Sequence, residues 1–207
     1  MLSIVIQAGG KSKRMGEDKA LLPFLGQPLV ARIVAAFSET GDELLVITNH
    51  PADYQFLSLP LYTDIIPDRG ALGGLYTALK ISSHPAVGLV ACDLPFASPR
   101  LILHARQVME RTGADVVMPS DPGGIQPLHA VYRRKTCLPL VKHSLDEGQW
   151  RMIAWHEHAE VVILSPAETL EVTGSPLTFR NVNNPEEFKK AEQLARQQQG
   201  LDREGRP

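Results

Sequence analysis

The feature that most constrains this chain is a set of short, continuous apolar runs at residues 2–6, 43–48, 86–91, 115–118 and 161–164. A strand with one wet face alternates apolar with polar residues, whereas an unbroken run suits a strand buried on both faces of a parallel sheet. Between most of these runs lie helical patterns. Residues 28–37 carry Leu29, Ile33, Val34 and Phe37 at helical spacing, and residues 72–81 carry Leu72, Leu75 and Leu79 on one side. The alternation predicts an α/β fold, a doubly wound sandwich of three layers around a mostly parallel central sheet.

A chain of 207 residues is long enough for one well-buried core. We therefore expect a single domain over residues 1–198. Its last helix should start at Pro185, with Glu186 and Glu187 at the positive end of the helix dipole, and run to about Gln198. Residues 199–207 have no apolar anchor and end in glycine and proline, so a disordered tail is expected there. A formal charge of −2 excludes a protein built to coat nucleic acid, and the basic residues Lys11, Lys13, Arg14 and Lys19 are gathered instead beside Gly9 and Gly10, as if aimed at one small anion. Two cysteines, Cys92 and Cys137, make no disulfide framework and no zinc spacing. With no signal-like leader and no apolar stretch of the length a membrane span needs, the expected location is the cytoplasm.

Ligands of such a sheet sit beyond the carboxyl ends of its strands. That rule selects the loops at residues 7–19, at Asn49 and His50, and at Cys92 and Asp93. Gly10-Lys11-Ser12 copies the end of a nucleotide phosphate loop, but the first glycine of that motif would fall at Val5, inside an apolar run. Nor do Gly9, Gly10 and Gly16 meet the intervals of the dinucleotide motif. Ala8, Gly9 and Gly10 instead let backbone N–H groups approach a flat ligand or a phosphate, while Arg14 and Lys19 supply charge suited to a triphosphate. Asp93 follows a buried run and precedes Leu94-Pro95, which places a carboxylate at the sheet edge as a ligand for Mg²⁺, or alternatively as a cap for a helix near Ser98. Asp64 and Asp68 lie in a loop rich in turn residues and are open both as nucleoside contacts and as turn formers. His156 and His158 do not match a metal motif and are read as surface; Trp150 and Trp155 as core or interface; Cys92 as a buried structural thiol.

Five segments together resemble a known family. They are Ala8 to Lys19 (A-G-G-x-S-x-R-M-G-x-x-K), Leu22 to Leu29 (LPFLGQPL), Gly70 to Leu75 (GALGGL), Cys92 to Phe96 (CDLPF) and Asn181 to Glu187 (NVNNPEE). The pattern resembles the MobA-like nucleotidyltransferases, and within them the molybdenum cofactor guanylyltransferases. The resemblance implies a Rossmann-like, glycosyltransferase-A-type nucleotidyltransferase fold. It also implies transfer of GMP from GTP to the terminal phosphate of molybdenum-bearing molybdopterin, with Mg²⁺ as cofactor and pyrophosphate as second product. Molybdoenzyme apoproteins or their chaperones would receive that product. Carried over by position, Gln7, Ala8, Gly9 and Gly10 line the base and ribose, Arg14 and Lys19 hold phosphates, Asp93 binds Mg²⁺, Asp64 (with Asp68 as the other choice) contacts the nucleotide, and Asn49 contacts guanine. Strand-like residues 126–132 and Arg151 belong to the acceptor side. Two positions depart from the family pattern: Gln7 replaces a usual leucine, and Ala71 a usual proline. The competing expectations are a cytidylyltransferase for the same cofactor, a sugar-phosphate nucleotidyltransferase, and a non-catalytic GTP-binding protein that delivers the cofactor.

Overall fold

A computed structural model describes the backbone of residues 1–8 and 18–204, with side chains through residue 198. Gly9, Gly10, Lys11, Lys13 and Arg14 therefore lie outside the described residues. The elements are β1 (Leu2–Gln7), β2 (Pro23–Phe24), β3 (Gln27–Pro28), α1 (Leu29–Phe37), β4 (Glu43–Ile47), a 3₁₀ turn (Pro51–Leu57), β5 (Leu61–Tyr62), α2 (Gly70–Ile81), β6 (Ala86–Ala91), α3 (Pro99–Thr112), β7 (Val116–Asp121), β8 (Gly124–Ile125), β9 (His129–Arg133), α4 (Arg134–Asp146), a second 3₁₀ turn (His156–His158), β10 (Val161–Leu164), α5 (Pro166–Thr173) and α6 (Pro185–Glu204). Across the main sheet the strands are ordered β10-β7-β9-β6-β1-β4-β5, with β8 paired to β7.

The apolar runs form the strands expected of them, and β1 is buried along its whole length. Its side chains show why an unbroken run is required. Ile4 and Ile6 join one cluster with Leu29, Phe37 and Ile102, while Val5 between them joins a second with Leu72, Leu75 and Val141. Successive strand residues point to opposite faces, so helices on both faces demand apolar residues at every position. Helices α1, α3 and α6 contribute to the first layer and α2 and α4 to the second, giving the expected three-layer arrangement.

Local chemistry sets the helix ends. Ser98 caps α3, accepting a hydrogen bond from Leu101 N at 3.4 Å, Pro99 opens the helix and Gly113 closes it in the left-handed region. Ser165, Pro166 and Gly174 repeat this device on α5. Some limits differ from the sequence reading. β7 runs on to Asp121 because its end pairs with β8, and α2 starts at Gly70, two residues before its first apolar contact. α6 continues to Glu204, into the range expected to be a tail, and residues 205–207 lie outside the described residues. Among the described residues no helix is long and apolar enough to cross a membrane.

One strand is reversed: β9 is antiparallel to both β6 and β7. Its last residue therefore stands at the amino edge of the parallel strands, where Arg133 is opposite Ala86. α4 follows directly and returns toward the carboxyl edge, packing against α2. The end of α4 and the start of α2 thus meet at the carboxyl edge of the parallel strands.

Candidate active site

The site is built around the end of β1. Cys92 N donates to Gln7 O at 3.0 Å and Ala8 N donates to Ile47 O at 2.8 Å, so this end is tied to β6 on one side and β4 on the other. Beyond it opens a cleft of about 200 Å³ whose lining includes Gln7, Ala8, Asp18, Lys19, Gly70, Ala71, Asp93 and Leu128. Of the expected site residues, Gln7, Ala8, Lys19 and Asp93 come together here, and Gly9, Gly10 and Arg14, which lie outside the described residues, fall between Ala8 and Asp18 in the chain.

Lys19 Nζ stands 2.8 Å from Asp93 Oδ2 and 3.3 Å from Asn183 Oδ1. The lysine and aspartate side chains keep 17% and 22% of their surface exposed, so the pair is at the wall of the cleft and reachable from it. The backbone of Asp93 is pinned by Val182 N, which donates to Asp93 O at 3.0 Å. Asn183 is held in turn, its N–H donating to Glu187 Oε2 at 2.7 Å, while Asn184 Oδ1 accepts from Glu187 N at 2.9 Å. These reciprocal bonds form the start of α6 and bring residues 182–183 against the β6 end. The alternative role for Asp93 as a helix cap is not taken, since Ser98 caps α3. Asn183 was not among the site residues expected from sequence, although its segment carried part of the resemblance.

Asp18 and Tyr54 were missed as well. Tyr54 is fully buried; its hydroxyl donates to Asp18 Oδ2 at 2.6 Å and lies 3.4 Å from Ala8 O. Asp18 Oδ1 accepts from Ala20 N at 3.1 Å. One phenol therefore touches both flanks of the segment between Ala8 and Asp18. Burial, reinforced by the Asp18 carboxylate, pushes its pKa far above the ordinary tyrosine value, so it remains a donor. No sequence signal marks Tyr54, which sits in a short 3₁₀ turn.

Asn49 and Asp64 form a second constellation, at the ends of β4 and β5. Asn49 Nδ2 donates to Asp64 Oδ2 at 3.1 Å, and Asp64 N is 3.4 Å from Asn49 Oδ1. The pair stands at the same sheet edge as the cleft but outside its immediate lining. Asp68 serves the chain turn into α2, with φ of 60° followed by 56° at Gly70. Among the described residues, Asp64 Oδ1 and Gln7 Oε1 are buried acceptors without a hydrogen-bond partner. Each carries a desolvation cost of about 1–3 kcal/mol that a donor would relieve.

Gln7 is accommodated because position 74 is glycine. A Cβ there would overlap the Gln7 amide. Gly74→Ala is expected to displace the Gln7 amide and so to be less favourable in the wild type than in a Gln7→Ala background, where the helical gain of glycine to alanine, about 1 kcal/mol, remains. Urea unfolding of the two single variants and the double variant tests the coupling; equal changes with and without Gln7 would exclude it.

The remaining sequence readings resolve individually. Cys92 is buried, and burial with neighbouring Asp93 raises its thiol pKa far out of the reactive range. Trp155 is core at 2% exposure, whereas Trp150 is half exposed at 50%. Glu157 and His158 are exposed, but His156 is half-buried, its ring 4.8 Å from that of Trp155. Among the described residues no group of three or more His, Cys, Asp or Glu side chains is placed to hold a metal by itself.

Comparison with known proteins supplies the family. Residues 4–161 match the MobA-like NTP transferase domain. A protein of Carboxydothermus hydrogenoformans named probable molybdenum cofactor guanylyltransferase is 34% identical over 190 residues, 91% of this chain and 94% of that protein. The molybdenum cofactor guanylyltransferase of Desulfosudis oleivorans is 31% identical over 189 residues, 91% and 93% of the two chains. The fold is also that of the molybdopterin-guanine dinucleotide biosynthesis protein A of Archaeoglobus fulgidus, with a TM-score of 0.82 at 20% identity, covering 94% of this chain and 99% of that one. With a family match over residues 4–161 and relatives above 30% identity across nearly the whole chain, the chain belongs to the MobA-like NTP transferase family of nucleotidyltransferases.

Proposed function

We propose that this protein transfers GMP from GTP to the terminal phosphate of molybdopterin, giving the guanine dinucleotide form of the molybdenum cofactor. The observation that carries the reading is the Lys19–Asp93 pair on the wall of the cleft, in a chain whose relatives are named for this activity. An oxygen of the acceptor phosphate attacks the α-phosphorus of GTP. The new P–O bond forms as the bond to the oxygen bridging to the β-phosphate breaks, and pyrophosphate leaves with the electron pair. The nucleophile is already an anion, so no general base is needed; the task is to bring two anions together and to neutralise the charge that moves onto pyrophosphate.

Lys19 supplies one fixed positive charge, oriented by Asp93 and Asn183. Arg14, outside the described residues, is the second cation that the sequence offers. Asp93 fits a magnesium ion that takes one carboxylate together with substrate phosphates, since its Oδ1 accepts no hydrogen bond among the described residues. When bound, that ion would neutralise phosphate charge. The base choice follows the relatives, whose names specify guanylyl transfer.

Isothermal titration with GTP, CTP and ATP in the presence of Mg²⁺ tests the nucleotide. GTP should bind at least about tenfold more tightly than CTP, the scale expected of one good donor–acceptor pairing. Equal or tighter CTP binding would overturn the guanylyl reading in favour of cytidylyl transfer, and dinucleotide formation from GTP and molybdopterin completes the test.

A further inference from the structure

Trp150 is half exposed and lies outside the core, yet it is not loosely placed. The guanidinium of Arg69 sits 4.4 Å from the centroid of the Trp150 ring, a close cation–π stack. Arg69 is the residue immediately before α2, and the next two residues, Gly70 and Ala71, line the cleft. Trp150 follows α4, whose reversed course from the amino edge returns the chain to the carboxyl edge beside the start of α2. Thus an aromatic face and a cation are stacked at the rim of the cleft. The Lys19–Asp93 pair belongs to the other side, where residues 182–183 and the start of α6 close on the β6 end.

Among the described residues Arg69 forms no ion pair with any carboxylate; apart from the indole, its guanidinium has a 3.5 Å contact from Nη1 to the backbone oxygen of Asp68. Folding alone does not account for this pair. A solvent-exposed tryptophan contributes little to the core, and an exposed cation–π contact contributes only modestly. A large flat ligand would use both features, stacking on the indole while the guanidinium answers its phosphate.

We propose that Arg69 and Trp150 form the acceptor half of the site, a platform on which the flat pyrimidine face of a fused heterocycle carrying a phosphate monoester stacks. This rests on the guanylyl-transfer reading, in which the acceptor is a phosphorylated pterin. The platform stands across the cleft from the phosphate-holding pair, so the acceptor and the nucleotide enter from different sides. Trp150 binds the acceptor ring away from the reacting atoms, while Arg69 holds the phosphate whose oxygen attacks.

The test uses the full chain with Trp150→Ala, Trp150→Phe and Arg69→Ala, with molybdopterin as acceptor. Loss of one stacking partner should raise the acceptor KM about tenfold in Trp150→Ala, while kcat and the Kd for GTP stay within about twofold. Trp150→Phe, which keeps a flat ring, should restore most of the affinity, and Arg69→Ala should weaken acceptor binding without affecting GTP. Fluorescence gives a readout independent of transfer. Molybdopterin should quench the wild-type emission, and the quench should vanish in Trp150→Phe, because the remaining Trp155 is buried. An unchanged acceptor KM in Trp150→Ala, or wild-type emission insensitive to molybdopterin, would overturn the platform. If quenching occurs without dinucleotide formation, the platform stands and it is the guanylyl-transfer reading that fails.

Discussion

Asp93→Asn should lower kcat for nucleotidyl transfer by a factor on the order of 10²–10³, the loss usually seen when one preorganised charge-handling group is removed. Asparagine has nearly the same shape, and the backbone bond from Val182 N to Asp93 O does not involve the side chain, so the variant should fold normally. What disappears is the negative charge. Lys19 loses its 2.8 Å ion-pair partner and keeps only a neutral acceptor, and a magnesium ion held here would lose its protein carboxylate. Ground-state GTP binding should change far less than turnover, because Lys19 remains free to contact phosphate oxygens. The dependence of rate on Mg²⁺ concentration should flatten over the range in which the wild type responds. Pyrophosphate release measured against both GTP and Mg²⁺ separates these terms. Wild-type turnover with an unchanged Mg²⁺ profile would remove Asp93 from the machinery.

The second large effect concerns stability, and it arises from His129. This residue opens β9, has no exposed surface, and packs edge-on against the rings of Phe37 and Phe179 at 6.1 and 5.8 Å. Its Nε2 lies 3.2 Å from Ser98 O, which can only accept, so the neutral ring carries its proton there; Nδ1 has no partner among the described residues. Burial disfavours the imidazolium and holds the pKa down to about 4, opposed only weakly by the Ser98 carbonyl. Between that value and the ordinary 6.5 the unfolded chain binds the extra proton and the folded chain does not. The contribution is therefore fully present above pH 6.5 and is lost as pH falls to about 4, a total of roughly 3 kcal/mol from one group at 1.36 kcal/mol per unit. Urea unfolding of the wild type and of His129→Phe across this range measures it. The stability difference between the two should shift in favour of the phenylalanine variant by about that amount as pH is lowered, whereas a difference independent of pH would mean that His129 gains a proton as readily in the folded state as in the unfolded one. Carboxylates such as Asp42 and Glu43, whose pKa values are lowered by hydrogen bonds, act at lower pH and cancel in the comparison.

Much of the fold was legible because it is encoded locally. Ile4, Val5 and Ile6 require helices on both faces of the sheet, and Pro185 with Glu186 and Glu187 marks the start of α6. The reversal of β9 was not legible from its apolar pattern, since an antiparallel strand buried on both faces reads like a parallel one. Site residues divide in the same way. Lys19 and Asp93 announced themselves by position, one after a glycine-rich loop and the other after a buried strand. Tyr54 did not, because its role depends on Asp18, which lies 36 residues away in the chain.

The sequence by itself therefore determined the class of fold, the edge of the sheet at which the cleft opens, and the charged residues Lys19 and Asp93 at that edge, because strand periodicity, glycine turns and strand-end carboxylates act over a few residues. Only the tertiary structure decided that Lys19 meets Asn183 across 164 residues, that Asn49 pairs with Asp64, and that Trp150 stacks with Arg69. Those contacts depend on how strands are ordered and which way each one runs. Strand order is set by packing summed over the whole core, and no local stretch of sequence carries that sum.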